Sequence, residues 1–185
     1  MDIPITLRSF LRMDQSAEQH WLPAARRGER WALEQLYHAY QAQIYSFCYR
    51  LLRCADDAED ATQTTFTSAF RALPDFRGDS SLKTWLYRIA VNEATASLRR
   101  RRRVGAPIDE EAPVPDGAGS VVERIAVREA MARMKPEQRV VLGLRYWEAM
   151  SYAEIAEVLN LSLPKVKMRL HRAREAFRKQ YEAER

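Results

Sequence analysis

Cations recur at helical spacing near the end of the chain. Lys165, Lys167, Arg169, His171, Arg172, Arg174 and Arg178 share one side of a segment whose other side is Val166, Leu170, Ala173 and Phe177. A helix with that surface has the size and charge to enter the major groove of duplex DNA. There, residues near its start reach base edges and later arginines grip phosphate. A helical hairpin with a solvated basic face would carry the same pattern, so the preceding segment decides. Ser151-Tyr-Ala-Glu154 is a capping box, in which the serine hydroxyl accepts from the Glu154 amide and the Glu154 carboxylate accepts from the Ser151 amide. Ile155, Ala156 and Leu159 form the inner face that follows, with Ala156 small enough for a tightly crossing partner helix. Asn160 tolerates the left-handed conformation that stops a helix, Leu161 fills the turn, and Leu163-Pro164 suits a new first turn. Together these predict a DNA-binding helix-turn-helix from Ser151 to Arg174.

A second cationic cluster is the run Arg99 to Arg103 at the end of an earlier periodic segment. Arginines there complement the helix dipole, but packing five like charges costs repulsion that a phosphate backbone, of DNA or RNA, would relieve. Nothing comparable suggests catalysis. His20, His38 and His171 are scattered, no nucleophile pairs with them, and no phosphate-cradling loop is present, so neither an enzyme nor a small-molecule substrate is expected. Cys48 and Cys54 match no zinc spacing, and on one helix they would stand about 240° apart. Two reduced thiols, no metal and no cofactor are the expectation.

The elements that position these groups are helical. Periodicity of 3.6 residues recurs through the chain and no alternating run suggests a sheet. The 46% hydrophobic content of 185 residues can build packed cores, and the formal net charge of +5 suits a polyanionic partner. No apolar run approaches the roughly 20 residues that span a bilayer, and Met1 to Phe10 lacks the pattern of a leader, so a cytoplasmic protein without membrane insertion is expected. The stretch VGAPIDEEAPVPDGAGS, residues 104–120, concentrates Pro, Gly and acid and reads as a flexible linker. The predicted fold is therefore all-α: two small helical domains, 22–103 and 121–185, joined by that linker, after an N-terminal extension over 1–21. In the first domain, Leu36, Tyr40, Ile44, Phe47, Cys48 and Leu51 predict a long helix from Arg30 to Arg53. A second follows from Asp57 to Leu73, with Thr62, Phe66, Ala69 and Phe70 on its inner face and Pro74 as its stop. A third starts near Leu82, with Trp85, Leu86, Ile89, Ala90 and Leu98 as its buried stripe. The second domain opens with Val121 to Met134 and breaks at Lys135-Pro136 before resuming.

Two stretches, taken together, resemble one family. DAEDATQTTFTSAFRALPDFRGDSSLKTWLYRIAVN, from Asp57 to Asn92, resembles the core-binding and −10-recognising region of group IV, or extracytoplasmic-function, sigma factors of bacterial RNA polymerase. SYAEIAEVLNLSLPKVKMRLHRAR, from Ser151 to Arg174, resembles their −35-reading helix-turn-helix. Order, linker and length agree from about Leu22 to Phe177. The resemblance implies that Asp60, Gln63 and Thr64 meet the beta-prime clamp coiled coil of core polymerase, Thr64 standing where glutamate is usual. It implies a −10 reader made of Phe76, Arg77, Asp79, Ser80, Ser81, Trp85, Tyr87, Arg88, Asn92, Arg99 and Arg100. Asn92 can read a base edge, while Phe76, Trp85 and Tyr87 can stack on bases or simply pack. Ala96 stands where aspartate is common. For the −35 element it implies Lys165, Lys167, Met168, Arg169, His171, Arg172 and Arg174, with Met168 in place of a small polar residue and Pro164 in place of glycine.

The implied partners are core RNA polymerase, through the beta-prime clamp and beta flap, promoter DNA, and an anti-sigma factor clamped on both domains. The rival from another class is a helix-turn-helix repressor or activator that binds promoter DNA without polymerase.

Overall fold

The computed structural model describes residues 18–104 and 120–183, and every regular element among them is helical. Helix α1 spans residues 18–26 and buries Trp21, Ala24 and Ala25. The first domain therefore begins earlier than the expected Leu22, and residues 1–17 of the expected extension lie outside the described residues. Gly28, at φ +80°, reverses the chain into α2, because a side chain there would strain the left-handed backbone.

Helix α2, Arg30–Leu52, follows its periodicity: Leu36, Tyr40, Ile44, Phe47, Cys48 and Leu51 are all buried. Arg53 closes it at φ 54°, its amide donating to the Tyr49 carbonyl at 2.8 Å. Helix α3, Ala55–Ala72, carries Asp56 and Asp57 in its first turn, where the dipole favours anions. Its inner face centres on Ala58, Ala61, Thr65, Phe66 and Ala69, while Phe70 is only half-buried. The buried hydroxyls of Thr62 and Thr65 donate to the carbonyls of Ala58 and Ala61 at 2.7 and 2.6 Å, so neither is left unsatisfied. Pro74 sits inside a closing 3-10 turn, Leu73–Asp75. Helix α4 then runs Leu82–Val104.

In the second domain, Ser120 and Glu123 cap helix α5, Val121–Ala132, with a capping box. Pro136 opens helix α6, Pro136–Tyr146, and helices α7, Tyr152–Leu159, and α8, Leu163–Glu182, follow. The expected linker lies outside the described residues except for its ends.

Cys48 is buried, and burial pushes its thiol up to about 12. Cys54 is not on the same helix: it occupies the N-cap position of α3. The two thiols are free, and their separation comes from this helix break rather than from a rotation around one helix.

The two domains pack on each other. Helix α4 lies against α7, α2 lies against α6, and one apolar core runs through both. Gly143 of α6 makes the close approach feasible: a Cβ there would stand 2.7 Å from the Trp147 ring and 3.3 Å from Phe47. Phe47 meets Trp147 edge-on at 6.4 Å, and the Arg50 guanidinium lies 5.4 Å over the same indole. At the far edge of the contact, the buried side chain of Arg53 reaches Glu129 at 3.4 Å beside the buried Arg139. Neither arginine's Nε has a partner among the described residues, and burial together with Arg53 pushes the Arg139 guanidinium down. Arg53 and the half-buried Arg128, itself 3.3 Å from Glu129, share that carboxylate, and the buried Arg139 adds a like charge near Arg53, a net cost that the apolar contact must offset.

Candidate nucleic-acid interface

The helix-turn-helix forms as its chemistry requires. Ser151 Oγ accepts from the Glu154 amide at 3.2 Å, and Glu154 Oε2 accepts from the Ser151 amide at 2.7 Å. Asn160 takes φ 50°, and the Leu161 amide returns to the Ala156 carbonyl at 2.9 Å. Ile155 and Val158 are the buried residues of α7, whereas Ala156 and Leu159 are half-buried. The inner face is thus rotated from the expected one by about a residue. Val166, Leu170 and Ala173 anchor α8.

The cations of α8 fall into two sets. Lys165, Lys167, Arg169, His171 and Arg172 are exposed and hold no side-chain partner among the described residues, so they are available to a ligand. Arg174 is occupied: it donates to the Tyr152 hydroxyl at 3.3 Å and lies 5.8 Å over the Tyr146 ring, bracing α8 to the rest of the domain. Arg178 pairs with Glu175 at 2.8 Å. The unengaged cations lie between Lys165 and Arg172, a shorter stretch than the sequence pattern.

The residues expected to read −10 DNA cluster at the start of α4. Phe76 is buried and packs against Trp85 with ring centroids 5.1 Å apart. Beside them lies a cavity of about 420 Å³ whose rim includes Arg77, Asp79, Ser80 and Arg88. Ser81 is engaged as a cap: its Oγ accepts from the Thr84 amide at 3.1 Å and donates to Thr84 Oγ1 at 2.8 Å. Asn92, Arg99 and Arg100 are exposed along the same helix. Arg101, from the middle of the arginine run, pairs with Asp57 at 2.6 Å, so part of that run is structural.

Tyr87 is not placed to stack on a base. Its ring is fully buried against Phe47 at 5.2 Å, and its hydroxyl donates to the carboxylate of Glu148 from the second domain. Lys83 Nζ donates to the Glu148 carbonyl at 3.1 Å and stands 4.0 Å from its carboxylate. Arg88 Nε donates to the Glu157 carbonyl at 3.1 Å, and Glu157 itself lines the cavity beside Phe76. The second domain therefore lies over part of the expected −10 surface. Sequence reading missed Glu148 and Glu157, since Glu148 sits in a short turn among Trp147, Ala149 and Met150 and Glu157 on the polar side of an amphipathic helix, where nothing in the spacing marks a partner.

Asp60, Gln63 and Thr64 lie together on the exposed side of α3, with Gln63 Nε2 donating to Glu59 at 3.2 Å.

Comparison with known proteins assigns this architecture. The family model for Sigma-70 region 2 matches residues 36–104, and that for Sigma-70 region 4 matches residues 124–177. The chain is 33% identical to the RNA polymerase sigma-H factor of Pseudomonas aeruginosa, over 90% of this chain and 95% of that protein. The chain belongs to the extracytoplasmic-function sigma factors. The sigma factor is also 34% identical to SigM of Mycobacterium tuberculosis (80% of this chain, 76% of that protein) and 30% identical to SigW of Bacillus subtilis (84% and 91%). Among solved structures, it is similar to CnrH in complex with the cytosolic domain of CnrY, with TM-score 0.72 and 26% identity over 91% of this chain and 99% of that one. It is likewise similar to RpoE in complex with the anti-sigma factor NepR from Bartonella quintana, with TM-score 0.68 and 26% identity over 82% and 98%. Such a sigma factor directs promoter-specific transcription by RNA polymerase, and the helix-turn-helix repressor acting without polymerase is not favoured. No helix among the described residues is long and apolar enough to cross a membrane.

Proposed function

We propose that this sigma factor works by two grips that its closed form cannot apply at once. Asp60, Gln63 and Thr64 dock α3 on the beta-prime clamp coiled coil, and the second domain meets the beta flap. The loop around Phe76 and the exposed face of α4, including Asn92, Arg99 and Arg100, capture the opened −10 strand. The unengaged cations of α8 hold the −35 duplex. The chain contributes binding and no catalysis, in the compartment that holds the polymerase, and an anti-sigma factor is a further partner.

The observation that carries this reading is the pairing of two unsatisfied recognition surfaces on consecutive domains. One is the cavity beside Phe76 and the other is the free cationic face of α8. Elements centred about 25 base pairs apart lie about 85 Å apart at 3.4 Å per pair. A closed chain of this length is only about 40 Å across. Separated, the 15 residues 105–119 add a reach of up to about 50 Å at 3.3 Å each, enough to span the promoter. Opening a few base pairs costs about 1.4 kcal/mol of stacking per step, and capture of an extruded base offsets part of it.

Run-off transcription with purified core polymerase on a pool of genomic promoters tests the proposal. Promoter-specific transcripts are expected only when the protein is added. Tight promoter binding with no such transcript would favour the rival DNA-binding regulator instead. Arg172→Ala is expected to weaken −35 duplex binding by about 1 to 3 kcal/mol if the guanidinium contacts a base. Unchanged affinity in a duplex titration would exclude it from the reading surface.

A further inference from the structure

Met168 stands almost opposite the buried face of α8, near the start of the helix. At 100° per residue it stands about 170° from the mean direction of the buried Val166, Leu170 and Ala173. Its side chain is 46% exposed, among the few large apolar groups so displayed. One turn away on either side are Lys165, His171 and Arg172, all exposed and unengaged. If these cations grip the walls of a groove, the methionine is the group pushed toward its floor.

A thioether side chain cannot donate a hydrogen bond and accepts only weakly. Set against a base edge that presents a donor or acceptor, it strips water from that group and returns nothing, which penalises the base. One base carries an apolar group on the major-groove floor, thymine with its 5-methyl. We infer that Met168 makes this sigma factor select a thymine within its −35 element by packing on that methyl group. The inference rests on the reading that α8 enters the major groove, and it adds the chemical class of one recognised base.

The test deletes the methyl group from the DNA without altering base pairing. Selection from random duplexes with the holoenzyme fixes the −35 sequence, and each thymine in it is then replaced in turn by deoxyuridine. With the native protein, one replacement is expected to weaken holoenzyme binding about fourfold, the worth of one buried methyl. With Met168→Ala, that duplex and its thymine parent should bind equally, while Met168→Leu should keep the sensitivity. Native holoenzyme that transcribes from the promoter with no thymine sensitive to methyl loss overturns the contact and leaves the sigma-factor reading intact. So does a sensitivity that persists in Met168→Ala. Absence of any promoter-dependent transcript overturns both.

Discussion

Bridging residue 75 to residue 157 is expected to reduce promoter-specific transcription to the level of core polymerase alone, and cutting the bridge should restore it. Asp75 and Glu157 line the same cavity from different domains, so a short cleavable bis-maleimide between Asp75→Cys and Glu157→Cys holds the closed form. Both residues line the cavity proposed to take the −10 strand, so the double-cysteine protein before bridging and after cleavage controls for damage to that surface, and Cys54→Ser removes the accessible native thiol, Cys48 being buried. The size of the effect follows from geometry. In the closed form the Arg88 guanidinium is held by the backbone of α7, the helix that precedes α8. No adjustment of side chains spreads those groups over about 85 Å of promoter. Before cleavage the bridged protein should still bind core polymerase, since Asp60, Gln63 and Thr64 lie on the exposed face of α3. Full transcription from the bridged protein would sink the claim that opening precedes promoter engagement.

Much of this architecture was legible in the residues because burial leaves a periodic trace. Leu36, Tyr40, Ile44 and Leu51 announce α2 to within a residue, and Ser151 with Glu154 announces the start of α7. A periodic stripe says which face is buried and is silent about what covers it. Tyr87 reads equally well as a stacking platform or a core residue, and only the approach of Glu148 decides between them. The same limit explains Arg101 and Arg174. Each belongs to a cationic run that looks uniform in sequence, yet Asp57 claims one and Tyr152 with Tyr146 holds the other. The resemblance placed Ser81 in the −10 reader, while its position one residue before α4 commits its oxygen to the Thr84 amide. The contact between the domains had no signature at all. Its centre is a turn, Trp147 and Glu148, and a glycine whose lack of a side chain is its contribution.

Glu148 should set the strength of that contact in a pH-dependent way. Its carboxylate is buried between the domains, and burial raises its pKa above the ordinary value of 4.5, against the opposing pull of the Tyr87 hydroxyl, Lys83 and Arg50. A carboxyl with a higher pKa in the closed form binds its proton more tightly there than in the open form. Its contribution to closure is therefore complete below the open-state pKa and is lost as pH rises through the raised one. The yield of the 75–157 cross-link, normalised at each pH to the rate at which the same two thiols are alkylated singly, should accordingly grow as pH falls from neutral toward 4.5. Glu148→Gln keeps an acceptor for Tyr87 and carries no charge, so closure should be tighter at neutral pH and flat across this window. Glu148→Lys sets a third cation beside Lys83 and Arg50. Breaking such a buried pair costs about 3 to 5 kcal/mol, enough to shift the equilibrium toward the open form by about a hundredfold or more. Its cross-link yield should collapse while its helical content is kept, and Gly143→Ala, which wedges Trp147 away from Phe47, should act in the same direction. Native yield in Glu148→Lys, or native pH dependence in Glu148→Gln, would show that the domains are held by their apolar contact alone. Loss of yield in both Glu148→Lys and Gly143→Ala would instead mean that the carboxylate and the close packing act together. The cell could then shift the balance with any partner that prefers one form.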